Sequence, residues 1–231
     1  MFLSIILPAY NEAETIPTLL SAIGKILKKR DFEIVVVDDH SPDGTSEVLQ
    51  LHSPNIPRVR LVTNIQRIGL AKSILKGIKS SRGDYILVMD SDFNHHPRYI
   101  PKFISLAKSY DLIVGSRYIK GGGMYDRPRF FLSMLYNLFV RLFLNLQTHD
   151  NLSGFFLMEK KSIMDLTPQE VFQGYGDYFI RLLTYAHQKP LRIFEIPVYY
   201  EKRFAGESKS RFLRMFLDYS KTVLQLKKSH S

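Results

Sequence analysis

The sequence of 231 residues contains no cysteine. This absence excludes disulfide bonds and thiolate metal sites, and it is compatible with a reducing compartment. Apolar residues make up 45% of the chain and charged residues 23%. Both values are ordinary for a globular protein, so the composition speaks against a disordered or fibrous chain.

Long hydrophobic runs are also absent. No stretch reaches the roughly 20 uninterrupted apolar residues that a membrane-spanning helix needs. The first apolar run, residues 2–7, is too short for a secretory signal and lacks its basic start. We therefore expect an unprocessed, cytoplasm-facing chain without a spanning helix.

Three familiar active-site motifs are missing from the sequence. It has no Gly-x-x-x-x-Gly-Lys-Ser/Thr phosphate loop, no Gly-x-Gly-x-x-Gly dinucleotide loop and no Gly-x-Ser-x-Gly elbow. A P-loop nucleotide hydrolase, a dinucleotide-binding domain and an α/β-hydrolase are therefore not indicated.

The charge of the chain is unevenly distributed. Lys and Arg number 32 against 22 Asp and Glu, a net charge of +10. Residues 1–115 carry 14 basic and 12 acidic side chains, whereas residues 116–231 carry 18 and 10. The basic second half indicates an anionic partner, which could be nucleic acid, a membrane surface or a phosphorylated substrate. A basic surface that only maintains solubility is the alternative.

Short apolar runs alternate with helix-period segments in the first half. This order predicts an α/β fold with an open, mostly parallel sheet covered by helices on both faces. The predicted strands are residues 2–7, 32–37, 59–62, 85–89 and 112–115. The predicted helices are residues 14–29, 45–51, 70–80 and 97–108.

The second half is less regular. It predicts helices at 129–146, 178–187 and 211–228 and strands at 155–158 and 191–200. Since no linker or internal repeat divides the chain, we expect a single domain, 1–231. Residues 1–118 would be its nucleotide-binding half, and residues 119–231 would be a C-terminal elaboration.

Carboxylates follow three of the predicted strands. Glu12 comes after the first, Asp39 after the second, and Asp90 and Asp92 after the fourth. In open α/β sheets, ligands bind beyond the carboxyl ends of the strands. A cluster of acids at this edge of a basic protein therefore predicts a ligand site.

The acidic segment after the fourth strand suits a divalent cation. Asp90, Asp92 and the amide of Asn94 offer the hard oxygen ligands that Mg²⁺ or Mn²⁺ prefers. The alternative is a turn whose Asp side chains cap the next helix. We favour the metal because other acids share this edge. Zinc is not expected, because neighbouring His95 and His96 point apart and lack a further ligand.

One predicted helix has an unusual polar pattern. Of the 17 residues in 130–146, 13 are apolar, and the exceptions are Ser133, Asn137, Arg141 and Asn145. They form one narrow polar stripe opposite a broad apolar face. The helix is too short and polar to span a bilayer, but it suits the membrane interface. Packing on the protein's own core or on a partner subunit is the alternative.

Two further basic features could contact a membrane surface. Arg127 and Arg129 precede the helix just described and could meet lipid phosphates. The last predicted helix is basic and amphipathic, a pattern typical of membrane-surface binding. An ordinary terminal helix with a solvated basic face would look the same.

Six stretches, in this order, resemble family 2 glycosyltransferases of the GT-A fold, and in particular dolichyl-phosphate mannose synthases. The resemblance covers nearly the whole chain. Its most specific parts are the His-His-Pro at the end of stretch 89–97 and the stretch 203–209. The stretches are PAYNE (8–12), DDHSPDGT (38–45), MDSDFNHHP (89–97), GSRY (115–118), NLSG (151–154) and RFAGESK (203–209).

The resemblance implies a role for each matching residue. The guanosine of GDP-mannose would be held by Pro8, Tyr10, Glu12, Val37 and Asp39, with Asn11 in the same motif. Ribose, diphosphate and a Mg²⁺ or Mn²⁺ ion would be met by Asp90, Ser91, Asp92 and Asn94. Catalysis at the diphosphate and the acceptor phosphate would involve Asp92, Arg117, Arg203 and Lys209.

The implied function is inverting, metal-dependent transfer of mannose from GDP-mannose to a polyprenyl (dolichyl) phosphate. The enzyme would lie on the cytoplasmic side of a membrane as a peripheral protein, either the endoplasmic reticulum or a prokaryotic inner membrane. A small membrane subunit is a possible partner, and nucleic acid is not expected as one. The alternatives are another donor or acceptor, such as UDP-glucose or a polysaccharide, and a non-catalytic basic protein that binds nucleic acid or membranes.

Overall fold

Nine strands and nine helices occur in the described residues of the computed structural model, which are 1–52, 58–202 and 212–229. The strands are β1 Leu3–Ala9, β2 Phe32–Asp38, β3 Val59–Thr63, β4 Tyr85–Val88, β5 Leu112–Ser116, β6 Gly123–Met124, β7 Phe156–Glu159, β8 Ile193–Pro197 and β9 Tyr199–Tyr200. The helices are α1 Ile16–Ile26, α2 Thr45–His52, α3 Leu70–Ser80, α4 Ile100–Leu106, α5 Arg127–Leu144, α6 Lys160–Met164, α7 Pro168–Val171, α8 Tyr178–His187 and α9 Phe212–Ser229.

The central sheet has seven strands in the order β3-β2-β1-β4-β7-β5-β8. Strand β7 is antiparallel to both neighbours, and every other pair is parallel. The prediction of an open, mostly parallel α/β sheet is confirmed. Strands β7 and β8 come from the second half of the chain, so the two halves share one sheet.

Both faces of the sheet are buried, which explains the continuous apolar runs. In β2, Ile34 and Val36 pack on one face with the core residues of α1. Val35 and Val37 pack on the other face with those of α3. Successive side chains of a strand point to opposite faces, so a strand covered on both sides needs apolar residues throughout.

The prediction of one strand over 191–200 is wrong. The segment breaks at Val198 into β8, which extends the main sheet, and β9, which pairs with β6 in a separate two-stranded sheet. Val198 is 1% exposed, so the apolar pattern continues through the break and conceals it. Strand β6 and the short helices α6 and α7 were not predicted, since elements of two to five residues carry no readable period.

Other boundaries moved by a few residues. The helix predicted at 97–108 begins with a 3₁₀ turn over Pro97–Tyr99, and α4 follows it. The helix predicted at 129–146 begins two residues earlier, where Asp126 accepts a hydrogen bond from the N–H of Arg129 and caps α5. Residue 211, the predicted start of the last helix, lies outside the described residues.

The direction of chain winding reverses between β1 and β4. Strands β2 and β3 lie on one side of β1, and β4 lies on the other side. The segments that leave β1, β2, β4 and β5, beginning with Tyr10, Asp39, Met89 and Arg117, therefore meet at one edge, called here the carboxyl edge. The antiparallel β7 starts at this edge, so the loop before it arrives there too. Such a reversal opens the crevice in which α/β sheets bind ligands.

Gly77 lets α3 approach the sheet closely. Alanine should therefore destabilise the protein at this glycine, although it usually stabilises a helix. A Cβ at Gly77 would lie 2.6 Å from Ile6 Cγ2 and 2.9 Å from Val37 Cγ2. We expect Gly77→Ala to lower the free energy of unfolding by about 1–3 kcal/mol, because the core there has no room. Urea denaturation would measure the loss.

Gly24 in α1 is the matched control, since a Cβ added there would have no atom within 4 Å. Gly24→Ala should raise the free energy of unfolding by roughly 0.5–1 kcal/mol, the usual helix preference for alanine. Equal changes in the two variants would show that the contact between α3 and the sheet is not tight.

Candidate functional site

A cleft of about 230 Å³ opens at the carboxyl edge, at the point where the winding reverses. The structure brings nine of the predicted site residues into its wall, from four different strand ends. They are Pro8, Tyr10, Glu12, Asp39, Asp90, Ser91, Asp92, Asn94 and Arg117. These residues are far apart in the sequence, but they meet because the strands before them all end at the same edge of the sheet.

Two predicted residues, Val37 and Asn11, lie away from the cleft wall. The side chain of Val37 is fully buried in the core beside α3. Asn11 is exposed, and its backbone N–H donates to Ser41 Oγ at 3.0 Å. Arg203 and Lys209 lie outside the described residues, so their roles stay predictions.

Residues Asp90 to Asn94 form the acidic loop that follows β4. The Ser91 hydroxyl donates to the carbonyl of Pro8 at 2.9 Å, which ties the loop to β1. The Asp92 carboxylate is 4% exposed and accepts from the backbone and side-chain nitrogens of Asn94 at 3.0 and 2.9 Å. Phe93 has φ +66°, in the left-handed region that costs a non-glycine residue about 1–2 kcal/mol. Surrounding contacts must offset this strain.

The acidic loop has the donor chemistry of a Mg²⁺ or Mn²⁺ site. Asp92 turns toward the amide nitrogen of Asn94, so the two residues already lie together as a carboxylate and an amide, with Asp90 at the same cleft. Within the described residues, no three Asp, Glu, His or Cys side chains form a cage that could hold a metal alone. That fits these ions, which take one or two protein carboxylates and complete their shell with water and substrate phosphates.

The two histidines of the predicted motif have separate structural positions. His96 caps the 3₁₀ turn by accepting from the N–H of Arg98 at 3.1 Å. His95 is 1% exposed and lies behind the acidic loop, between Asp90 and Tyr200. Burial lowers the pKa of His95 to about 3, so the ring is neutral at physiological pH. Burial also raises the pKa of Tyr200 well above its usual range, so its hydroxyl keeps its proton.

Asp39 organises the loop between β3 and α3. Its Oδ1 accepts from Asn64 Nδ2 at 2.9 Å and from the N–H of Ile68 at 2.8 Å. Its Oδ2 accepts from the N–H of Gly69 at 2.8 Å. Each carboxylate oxygen accepts about two hydrogen bonds, so Oδ2 keeps capacity for a ligand. Asp43 accepts from the N–H of Thr45 at 3.0 Å and so caps the start of α2.

Arg67 is a cleft residue that the sequence reasoning missed. Its guanidinium carbon lies 3.9 Å from the centre of the Tyr10 ring, a close cation–π contact. The loop that Asp39 fixes carries Arg67 to this position. The sequence signal was only a basic residue two positions before a glycine, which is too common to single out.

Arg117 lies at the end of β5 in a buried ion pair with Asp150. Its Nε and Nη2 donate to the two carboxylate oxygens of Asp150, each at 2.7 Å, and its backbone N–H donates at 2.9 Å. The side chains are 6% and 0% exposed. Burial alone would lower the pKa of Arg117, but the Asp150 carboxylate raises it above its usual range, so the guanidinium stays charged. The ring of Tyr200 lies 4.5 Å from it.

The loop before β7 holds Asp150 in place. Glu195 on β8 accepts from the backbone N–H groups of His149 and Asp150, at 2.9 and 3.1 Å. Asn137 on α5 accepts from the N–H of Asn151 at 2.6 Å. Asp150 and Glu195 were not predicted as site residues, because nothing in the sequence pairs them with Arg117.

A second cavity, here called the apolar groove, lies between α5 and α9. It measures about 580 Å³ and adjoins the cleft. The two cavities share five wall residues, which are Arg117, Arg129, Leu152, Met215 and Tyr219. The groove walls are otherwise mainly apolar and aromatic, with Leu132, Leu135, Tyr136, Phe139 and Phe216 among them. Two arginines therefore stand where a polar cleft meets an apolar groove.

Helix α5 turns Ser133 and Asn137, two residues of its polar stripe, toward the protein. Asn137 is 1% exposed, and Ser133 is half-buried beside the hydroxyl of Tyr118. The outward face of α5 is formed by its exposed apolar side chains, which are Phe131, Leu132, Met134, Leu135, Leu138, Phe139 and Leu142. Leu142 is 72% exposed and Leu132 is 62% exposed. Contiguous apolar surface of this kind marks an interaction site.

Helix α9 divides its apolar residues between core and surface. Tyr219, Val223 and Leu226 pack into the core, as in an ordinary terminal helix. Phe216 and Leu217 are exposed beside α5, and the rings of Phe216 and Tyr136 lie 5.0 Å apart. Among the described residues, no helix has the length and apolar character needed to cross a bilayer.

The fold is that of the GT-A glycosyltransferases. Over 98% of its length, the chain matches 78% of a crystal structure of glucosyl-3-phosphoglycerate synthase from Mycobacterium tuberculosis, in complex with Mn²⁺, UDP and glucosyl-3-phosphoglycerate, with a TM-score of 0.70. A second structure of that enzyme, in complex with Mn²⁺, UDP and phosphoglyceric acid, also gives a TM-score of 0.70. This match covers 98% of the present chain and 77% of the other. Sequence identity is 20% in both, so the likeness shows the fold alone.

The chain belongs to glycosyl transferase family 2, whose model matches residues 4–167. A dolichol-phosphate mannosyltransferase of Pyrococcus furiosus is 33% identical over 99% of this chain, which spans only 64% of that relative's length. An undecaprenyl-phosphate mannosyltransferase of Micrococcus luteus is 30% identical over 88% of this chain and 85% of its own. A dolichol-phosphate mannosyltransferase of Saccharomyces cerevisiae is 28% identical over 89% of this chain and 80% of its own length.

The buried ion pair predicts a large stability loss when its acid is removed. Asp150→Ala would leave the Arg117 guanidinium buried without a counter-charge, which costs about 3–5 kcal/mol. The free energy of unfolding from urea denaturation would measure this. Asp111→Ala is the control, because it breaks the solvent-exposed pair with Arg192 and should cost much less. Similar losses in both variants would contradict the importance of the buried pair.

Proposed function

We propose that this protein transfers mannose from GDP-mannose to a polyprenyl phosphate, with inversion at the anomeric carbon, at the cytoplasmic face of a membrane. The observation that carries the proposal is that the acid-lined cleft adjoins the apolar groove, with Arg117 and Arg129 in the wall of both. A polyprenyl phosphate is an anion attached to a long apolar chain, and this arrangement complements both of its parts. The names of the relatives agree with such an acceptor.

The reaction requires little acid–base chemistry. A phosphate oxygen of the acceptor attacks C1 of mannose, the bond from C1 to the diphosphate oxygen breaks, and GDP leaves with that electron pair. A phosphate monoester has a second pKa of roughly 6 and is largely dianionic at neutral pH. The nucleophile therefore needs no strong general base, but it needs cations that bring it close to a charged donor.

Arg117 and Arg129 would supply these cations. The planar fork of an arginine suits phosphate oxygens better than a point charge does. Arg129 would offer its fork, whereas Arg117 would use the N–H groups that Asp150 does not hold. Arg117 is held rigidly by Asp150, so its side chain loses no conformational entropy when the acceptor binds. Arg203 and Lys209 would add charge at the diphosphate, as the family resemblance predicts for them.

The acidic loop would hold a Mg²⁺ or Mn²⁺ ion, through Asp92 and Asn94 directly and through Asp90 less directly. A bound ion of this kind neutralises the leaving diphosphate. Ser91 and Glu12 would position the ribose and the nucleoside, since both line the same wall as Tyr10.

The contact between Arg67 and Tyr10 favours guanine as the donor base. An arginine fork donates two hydrogen bonds to O6 and N7 of guanine, whereas uracil offers no such pair of adjacent acceptors. Asp39 Oδ2 keeps acceptor capacity for a base N–H group or a ribose hydroxyl. UDP-glucose is the competing donor, and a panel of radiolabelled sugar nucleotides with dolichyl phosphate would decide between them. Transfer from UDP-glucose alone would overturn the choice of GDP-mannose.

Asp92 provides the test of metal dependence. Asp92→Asn should lower kcat/KM for mannose transfer at least about 100-fold, or about 2.7 kcal/mol, because the ion loses a charged ligand. Transfer of radiolabelled mannose to dolichyl phosphate with added Mn²⁺ would measure it. Asp84→Asn, at the opposite edge of the sheet, should leave the rate unchanged. Full activity after exhaustive chelation would exclude a metal.

The outward face of α5 predicts membrane binding. Replacing Leu138 and Leu142 by Glu should strongly weaken co-sedimentation with anionic lipid vesicles, since burial of each leucine contributes about 1.5–3 kcal/mol. These two residues are exposed and are absent from the groove wall, so donor binding should persist. Wild-type binding should also weaken in high salt, because the basic surface contributes.

Leu51→Glu is the control for this experiment, since Leu51 on α2 is 73% exposed, close to the 72% of Leu142. It should leave vesicle binding unchanged. If the double variant sediments like the wild type, the outward face of α5 does not meet the membrane. If it dimerises less and binds vesicles normally, the face is a subunit interface instead.

A further inference from the structure

His95 makes contacts on three sides behind the acidic loop. Its Nδ1 accepts from the backbone N–H of Asp90 at 2.9 Å, and its Nε2 lies 2.7 Å from the hydroxyl of Tyr200 on β9. Its ring stacks on Phe155, with centres 4.7 Å apart and planes 9° from parallel. The ring therefore joins the end of β4, the residue before β7 and strand β9.

These contacts define one tautomer of the ring. A nitrogen that accepts the N–H of Asp90 carries no proton, so the proton of the neutral ring is on Nε2. Nε2–H then donates to Tyr200 Oη, whose own hydrogen donates to the carbonyl of Ser153 at 2.7 Å. The carboxylate of Asp90, 3.6 Å from Nε2, also favours a proton there. The other charged groups around the ring are Asp92, Arg117 and Asp150.

The acidic loop needs such support because its own backbone is unfavourable. Phe93 has a left-handed backbone, and the loop must still present Asp90 and Asp92 to one cleft. The Ser91 hydroxyl ties the loop to β1 on one side. The ring of His95 ties Asp90 to β9 on the other side, through Tyr200.

We propose that His95 is a positioning residue for the donor site: as the neutral Nε2–H tautomer it holds the backbone N–H of Asp90 and so fixes the direction of the Asp90 and Asp92 carboxylates. The role rests on the proposed function, in which these carboxylates hold a divalent ion. Tyr200 has a second contact, with its ring under Arg117 at 4.5 Å. The pair His95–Tyr200 therefore sets the spacing between the acidic loop and the arginine that would hold the acceptor.

Two variants of His95 separate its two hydrogen bonds. The amide oxygen of asparagine occupies the place of Nδ1, so His95→Asn can still accept from Asp90. The amide of glutamine reaches the place of Nε2, so His95→Gln can still meet Tyr200 and loses the contact with Asp90. Glu33→Gln is the stability control, since it perturbs a buried network at the opposite edge of the sheet, where Ser4 donates to Glu33.

The measurements are Mn²⁺ affinity in the presence of GDP, by calorimetry, and hydrogen exchange of the Asp90 amide. His95→Gln should weaken Mn²⁺ binding by about 10- to 100-fold, the usual effect of losing a contact that orients a metal ligand. It should also speed exchange at Asp90. His95→Asn should show a smaller loss of Mn²⁺ affinity and a smaller increase in exchange at Asp90. Glu33→Gln should lower the melting temperature without changing the Mn²⁺ affinity or the exchange.

Several results would overturn the proposal. One is an equal loss of Mn²⁺ affinity and Asp90 protection in both His95 variants, in proportion to their melting temperatures. Another is an Nδ1–H tautomer in the wild type, as read from the nitrogen-15 shifts of the ring, which needs no variant. If the wild type binds no Mn²⁺ with GDP, the proposed function fails, and the exchange of the Asp90 amide and the tautomer still decide whether His95 holds the loop.

Discussion

The buried pair of Arg117 and Asp150 joins the parts of this site. A guanidinium and a carboxylate removed from water are costly to bury, and only close bidentate geometry with further hydrogen bonds offsets that cost. Here Glu195 on β8 and Asn137 on α5 hold the loop that presents Asp150. The cleft, the apolar groove, the sheet and α5 thus meet at one charged contact, and a shift in any of them would disturb it.

Helix α5 shows how this contact shapes the exterior. Its polar stripe is turned inward because Ser133 and Asn137 have partners there, in Tyr118 and in the loop of Asp150. The apolar residues are therefore left on the outside, next to the groove. In the proposed function, this face would meet the bilayer that holds the acceptor tail, and the groove would seat the tail beside its two arginines.

The strand ends were the most informative part of the sequence. Parallel strands read as continuous apolar runs, and the residue after each run is carried to one edge. Glu12, Asp39, Asp90 and Asp92 could therefore be predicted as neighbours, and they line one cleft. The break at Val198 could not be predicted, because Val198 is buried and the pattern stays apolar where the chain changes sheets. Strand β6 could not be predicted because two residues show no period.

Local periodicity and fixed motifs were enough to establish the fold class, the family and the acid-rich edge, since each of these is encoded within short stretches of the chain. The groups that support those motifs became known only from the folded molecule. Asp150 meets Arg117 across 33 residues and Tyr200 meets His95 across 105, and no local pattern encodes such pairs. Folding also decided which side of α5 faces outward, because a helical pattern shows two faces but not which of them has a partner in the folded chain.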